Sequence, residues 1–320
     1  MSDQEVKWCP GCGDYAILSS VQMAMAQLGV EPHNVCVISG IGCSSRFPYY
    51  MGTYGMHSIH GRAPGFATGV KLQNPELDVW VITGDGDGLS IGGNHLAHIL
   101  RRNIDVNIIL FNNEIYGLTK GQYSPTSHPG TTTKSSPYGS IDRPFVPAQF
   151  AIGTGSTFFA RTIDTDPKHM IEVFKQASAH RGTSLIEVYQ NCVIFNDKVH
   201  DSYTNRKTRD DKSIRLVAGE KMIFGADKDQ GLILDGFELK AVPLAGNEDK
   251  IVVHDPTSCG LVNLLTHLNG ENGPVPIGVL KTEVAKPYDK AFHEQLDAII
   301  EDKGAGDFNE LLNSGKTWTV

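Results

Sequence analysis

The residue types best suited to chemistry gather in one stretch, Gly84 to Gln122, GDGDGLSIGGNHLAHILRRNIDVNIILFNNEIYGLTKGQ. An acidic-glycine turn, Gly84-Asp85-Gly86-Asp87-Gly88, directly follows the apolar run VWVIT, and the pair Asn112-Asn113 directly follows the run VNIILF. Asp85 and Asn113 both offer hard oxygens. A carboxylate, an amide oxygen and a free backbone carbonyl suit Mg²⁺, which uses few protein ligands and completes its octahedron with water and substrate phosphate. Glycines 84, 86 and 88 let the backbone approach a diphosphate, and the start of the following helix supplies N–H groups and a positive dipole end. The pattern fits a metal diphosphate, against the plainer alternative of two tight turns closing two strands. Asp87 contacts the cofactor or caps the helix that follows, and capping is the simpler expectation.

Cysteine is the second constellation. Of Cys9, Cys12, Cys36, Cys43, Cys192 and Cys259, the first two form C-P-G-C, Cys43 follows the run VCVIS in GIGCSSR, and Cys192 follows SLIEVY in QNC. In a reducing compartment such a set points to metal or catalysis before disulfides. Four thiolates hold zinc or an iron-sulfur cluster, and their spacing does not settle which. Cys36 lies inside an apolar run and reads as a small core residue. Cys259 has no companion nearby.

These residues need elements to position them. Ile17, Val21, Ala24 and Leu28 recur at helical spacing between Asp14, a possible cap, and Gly29, which can end the helix. Val35–Ser39, Val79–Thr83, Val106–Phe111 and Ser184–Tyr189 read as buried strands, with helices from about Leu89 to Arg102 and from Asp166-Pro167 to Gly182. Strand and helix alternate, so we expect an α/β fold, a doubly wound parallel sheet with a C-terminal extension. In an open parallel sheet, ligands bind beyond the carboxyl ends of the strands, which brings Asp85, Asn113, Cys43 and Cys192 to one rim. The stretch from Ser124 to Gln149 is too long for a simple connection and reads as a functional loop or a surface excursion. The expected division is a cofactor-binding domain over 1–200 and an extension over 201–320 that packs on the core or on a partner.

Composition narrows the class. The chain has 320 residues, 40% hydrophobic and 20% charged, with a formal net charge of -8 and no basic block, so nucleic acid is not an expected partner. No apolar run approaches the roughly 20 residues that cross a bilayer, and the N-terminus lacks the apolar core of a secretory signal, so no membrane partner is expected and the location reads as cytoplasmic. The length leaves no room for two full cofactor-binding domains.

The motifs WCPGCGD, GIGCSSR, HGRAPGFATGVK, GDGD, NNEIYGLTKGQYSPT and the later NC, from Trp8 to Cys192, together resemble the β subunit of the 2-oxoacid:ferredoxin oxidoreductases, within the thiamine diphosphate-binding proteins. The resemblance implies thiamine diphosphate held through Mg²⁺ on Asp85, Asn113 and the carbonyl of Ile115. Gly84, Gly86, Asp87, Gly117, Leu118 and His60 are then cofactor neighbours. It also implies one 4Fe-4S cluster on Cys9, Cys12, Cys43 and Cys192. The activity implied is reversible oxidative decarboxylation of a 2-oxoacid to its acyl-coenzyme A, with electrons passed through the cluster to ferredoxin and coenzyme A as cosubstrate. Arg46 and Leu118 then face the substrate. A guanidinium at Arg46 could hold the distal carboxylate of a dicarboxylic acid in a bidentate bond, which favours 2-oxoglutarate over pyruvate. An α subunit is expected to supply the glutamate that activates the aminopyrimidine, giving an αβ heterodimer or its double. The alternatives are the same chemistry on pyruvate or another 2-oxoacid, and a non-redox thiamine-dependent decarboxylase or synthase with structural zinc.

Overall fold

The computed structural model describes residues 2–318. Helix α1 (Asp14–Leu28) leads to strands β1 (Val35–Ser39) and β2 (Tyr54–His57), and α2 (Ala63–Gln73) leads to β3 (Asp78–Gly84). The single turn α3 (Asp85–Leu89) and α4 (Gly93–Arg102) precede β4 (Asn107–Asn112) and a two-stranded ribbon, β5 (Ile115–Tyr116) with β6 (Gln122–Tyr123). Then come α5 (Pro147–Gly153), β7 (Phe158–Ile163), α6 (Pro167–Ala179) and β8 (Ser184–Tyr189). The remainder holds short α7 (Asp201–Thr204) and α8 (Arg209–Lys212), β9 (Ser213–Leu216), a sheet of β10 (Ile223–Phe224), β11 (Gln230–Asp235) and β12 (Glu238–Pro243), α9 (Cys259–Leu265), β13 (Val275–Thr282), α10 (Tyr288–Lys303) and α11 (Phe308–Asn313).

The main sheet has eight strands in the order β2-β1-β3-β4-β8-β7-β13-β9. Every pairing from β2 to β7 is parallel, and β13 reverses direction against β7. The sheet is therefore mixed and mostly parallel. All six residues of β4 are buried because helices cover both faces. Neighbouring side chains alternate between two cores: Val79, Val81, Ile108 and Leu110 pack toward α2 and α4, whereas Trp80, Ile82, Ile109 and Phe111 pack toward α1 and α6.

Beyond residue 200 the chain is more than a covering layer. β9 and β13 complete the main sheet, and Leu216 and Leu280 join the same buried cluster as Val81 and Leu110. Strand β7 is wholly buried, and β13 covers the edge it would otherwise expose. The boundary at 200 thus separates segments of chain but not two cores. Among the described residues no helix is long and apolar enough to cross a membrane.

Candidate active site

The carboxyl ends of β1, β3, β4 and β8 deliver the chemistry-bearing residues to one rim, as the crossover topology requires. There they enclose a cavity of about 580 Å³. Gly84, Asp85, Gly86 and Asp87 line it from the end of β3, and Asn113, Ile115, Gly117 and Leu118 from the segment after β4, with His60 at its exposed edge. Gly86 cannot be otherwise, since a Cβ there would stand 2.2 Å from the Tyr116 ring, whose hydroxyl donates to the Gly86 carbonyl.

Asp85 is 2% exposed, and its Oδ2 accepts from Ser124 Oγ at 2.5 Å and from Thr126 Oγ1 at 2.6 Å. Burial pushes its carboxyl up to about 6 against the opposing pull of these hydroxyls. Behind it, Thr126 Oγ1 lies 3.0 Å from Asn112 Oδ1, Asn112 Nδ2 donates to Glu187, and Glu187 pairs with Arg161 at 2.7 Å. Asn113 Oδ1 accepts from the Ile115 N–H, while its Nδ2 donates to Gln190 Oε1 at 2.7 Å. Asn196 and His200 bond to the carbonyls of Asn113 and Asn112 at 3.0 Å each. Between the two candidate ligands Asn113 and Ile115, Glu114 adopts a left-handed φ of 56°, and burial, then the charges of Asp85 and Glu187, push its carboxyl up to about 8. One buried carboxylate, one amide oxygen and a backbone carbonyl beside one cavity could hold Mg²⁺ with a diphosphate. Among the described residues no three His, Cys, Asp or Glu side chains form a metal group of their own.

A second cavity, about 190 Å³, is lined by Cys9, Cys12, Cys43 and Cys192 together with Arg46 and Lys7. None of these four cysteines forms a disulfide. Burial and then the nearby Asp14 push Cys43 up to about 11, and burial raises Cys12 further, so a metal or cluster would have to displace these protons. A Cβ on Gly117 would stand 3.5 Å from Cys192 Sγ and 3.6 Å from Cys43 Sγ, so Gly117 sits directly over two thiols. The two cavities share a wall of Asp14, Cys43, Asn113, Gly117 and Leu118. Cys36 is buried in β1 and Cys259 is exposed at the start of α9, both away from this group.

Three residues differ from the sequence reading. Asp87 caps no helix: its Oδ1 accepts from the Gly61 and Ile41 N–H groups at 2.7 and 3.2 Å, and its Oδ2 from Thr83 at 2.8 Å, which binds three segments around the cavity. The turn continues at once into α3, and α4 starts at Gly93 with no side-chain cap. Asp14 is inside α1 after the N-cap Gly13, with its Oδ2 buried and unbonded. Arg46 lines the thiol cavity and donates to the Lys7 carbonyl at 2.5 Å, so its guanidinium is outside the wall of the larger cavity, which Leu118 shares. Ser124, Thr126, Gln190, Asn196 and His200 were not singled out from sequence. SPTS directly follows the Asn113 segment, and Gln190 stands two residues before Cys192, so their positions carried the available signal.

Residues 40–188 match the family described as thiamine pyrophosphate enzyme, C-terminal TPP binding domain. The chain is 47% identical over its whole length to the 2-oxoglutarate oxidoreductase subunit KorB of Mycobacterium tuberculosis, covering 87% of that protein. It is also 47% identical to the β subunit of 2-oxoacid:ferredoxin oxidoreductase 1 of Aeropyrum pernix, over 59% of this chain and 60% of that one. A solved 2-oxoglutarate:ferredoxin oxidoreductase from Magnetococcus marinus, with 2-oxoglutarate, coenzyme A and succinyl-CoA bound, superposes with a TM-score of 0.77 at 34% identity, covering 99% of this chain and 94% of that one. With the thiamine-type rim and the thiol cavity beside it, this likeness identifies the chain as an enzyme β subunit belonging to the 2-oxoglutarate and 2-oxoacid:ferredoxin oxidoreductase family.

Proposed function

We propose that this β subunit carries out coenzyme A-dependent oxidative decarboxylation of 2-oxoglutarate in the cytoplasm and passes the electrons to ferredoxin. Asp85, Asn113 and the Ile115 carbonyl hold Mg²⁺ and the diphosphate of thiamine diphosphate, with Gly84 and Gly86 giving the phosphates room. Cys9, Cys12, Cys43 and Cys192 hold a 4Fe-4S cluster. When bound, the coenzyme supplies a nucleophilic carbon that decarboxylates 2-oxoacids, and the cluster accepts electrons one at a time. The observation that carries the reading is the shared wall: Cys43, Asn113, Gly117 and Leu118 border both cavities, so the distance an electron must cross is one layer of residues. All four thiols border one cavity of about 190 Å³, which is what a single four-thiolate group requires.

The chain's own residues do the positioning. Ser124 and Thr126 aim Asp85, and the Ile115 N–H and Gln190 fix the Asn113 amide. Leu118 lines both cavities where they meet, and His60 stands at the open edge where an α subunit would close the site and bring its glutamate. Iron, acid-labile sulfide and zinc per chain, with an EPR spectrum of dithionite-reduced protein purified without air, test this. About four irons and four sulfides, lost in Cys192→Ala, are expected. Zinc without sulfide would leave a thiamine enzyme with no electron acceptor.

A further inference from the structure

Gln190 follows β8, is 1% exposed, and its side chain in the thiol cavity reaches from Asn113 in the shared wall to Cys12. Its orientation is fixed from both ends. The Ile115 N–H donates to Asn113 Oδ1, so the other end of the Asn113 amide is its donor, which points at Gln190 Oε1 at 2.7 Å. The Gln190 NH₂ then faces the Asn191 carbonyl at 2.6 Å and Cys12 Sγ at 3.3 Å. A flipped amide would set oxygen against the Asn191 carbonyl and NH₂ against the Asn113 NH₂.

We propose that Gln190 is a positioning residue that links Asn113, at the diphosphate site, to Cys12, at the cluster site, and that its N–H at the Cys12 sulfur raises the reduction potential of the cluster. The inference rests on the cluster reading given above. Reduction adds one negative charge, shared between iron and sulfur, and an N–H aimed at a ligand sulfur stabilises the reduced form more than the oxidised one. The donor is buried, so solvent screens this effect little. Gln190 is a side-chain donor at that sulfur, so substitution can remove its N–H.

The test is an EPR-monitored redox titration of the full chain with its α subunit, alongside iron and sulfide counts. Gln190→Met keeps the length of the side chain and removes the N–H. It should retain the iron and sulfide of the parent while the ratio of reduced to oxidised cluster at fixed potential falls roughly tenfold, a shift of about 59 mV to lower potential for one electron. If Gln190→Met fails to assemble, Gln190→Leu, which is also neutral and lacks the N–H, should show the same direction of shift. An assembled cluster at the parent potential, or above it, overturns the inference and leaves the cluster reading intact. Parent protein with zinc and no sulfide overturns both.

Discussion

Asp85 is held by two hydroxyls on one oxygen, and a buried carboxylate loses its aim when such donors go. A hydrogen bond to a charged group is worth about 1.5–3 kcal/mol. Thr126→Val, which keeps shape, should therefore weaken magnesium-dependent thiamine diphosphate binding by roughly tenfold to a hundredfold, read by calorimetric titration. Unchanged affinity would show that Ser124 alone aims Asp85. Arg46 allows a sharper question because its guanidinium sits at the Lys7 carbonyl and not in the larger cavity. If it swings to the distal carboxylate of substrate, Arg46→Ala lowers kcat/KM for 2-oxoglutarate about tenfold or more relative to pyruvate. Equal losses on both substrates would leave it the role of anchoring the arm that carries Cys9. At this scale the sequence was legible in placement, since Asp85 and Asn113 follow strand ends and come to one cavity, and the four cysteines come to the cavity beside it. It placed Gln190 and Thr126 next to motif residues without giving them a role, because an amide or a hydroxyl becomes informative only when folding supplies its partner.

Between elements, one ion pair and one histidine set measurable terms. Arg161 on β7 and Glu187 on β8 are almost wholly buried and pair at 2.7 Å. Arg161→Met strands a buried carboxylate and should cost about 3–5 kcal/mol by urea denaturation. Adding Glu187→Gln, which can still accept from Asn112, should recover most of that loss. His169 in α6 meets Thr162 Oγ1 at 2.8 Å, and burial, then the Arg215 charge, lowers it to about 4 against the opposing pull of Asp166. It is neutral in the fold, so the unfolded chain binds a proton that the native chain refuses between about pH 6.5 and 4. Stability from this residue is full above pH 6.5 and falls as pH drops through that window, by roughly 2–3 kcal/mol at pH 4.5. His169→Gln should lose correspondingly less between pH 7 and 4.5, and an identical loss would refute the assignment. The strands that sequence revealed, β1, β3, β4 and β8, carry mostly apolar runs, whereas β7, although wholly buried, does not. Strand β7 carries an arginine and a threonine, FFARTI, and β13 holds a proline and a glycine, VPIGVLKT, so neither shows as an apolar run.

Across the whole molecule, the cavity mouth is rimmed by apolar side chains without cover. Ile59 and Ile91 are 66% and 57% exposed, and Gly61 packs against the backbone at Ile91 and Gly92, which puts both isoleucines beside His60. Leu118, 46% exposed, lies in the wall of both cavities. Apolar residues ringing a polar, chemistry-bearing opening are best covered by another chain, and the proposed α subunit brings its glutamate to the same opening. Ile59→Glu changes a side chain that the fold leaves mostly in water, so the isolated chain should keep its denaturation midpoint. Its affinity for the α subunit should fall about tenfold or more, because a carboxylate buried without a partner costs at least 1–3 kcal/mol. Equilibrium sedimentation of the two subunits reads this directly. An unchanged association constant would move the α-subunit contact away from the thiamine rim and require another source for the activating glutamate.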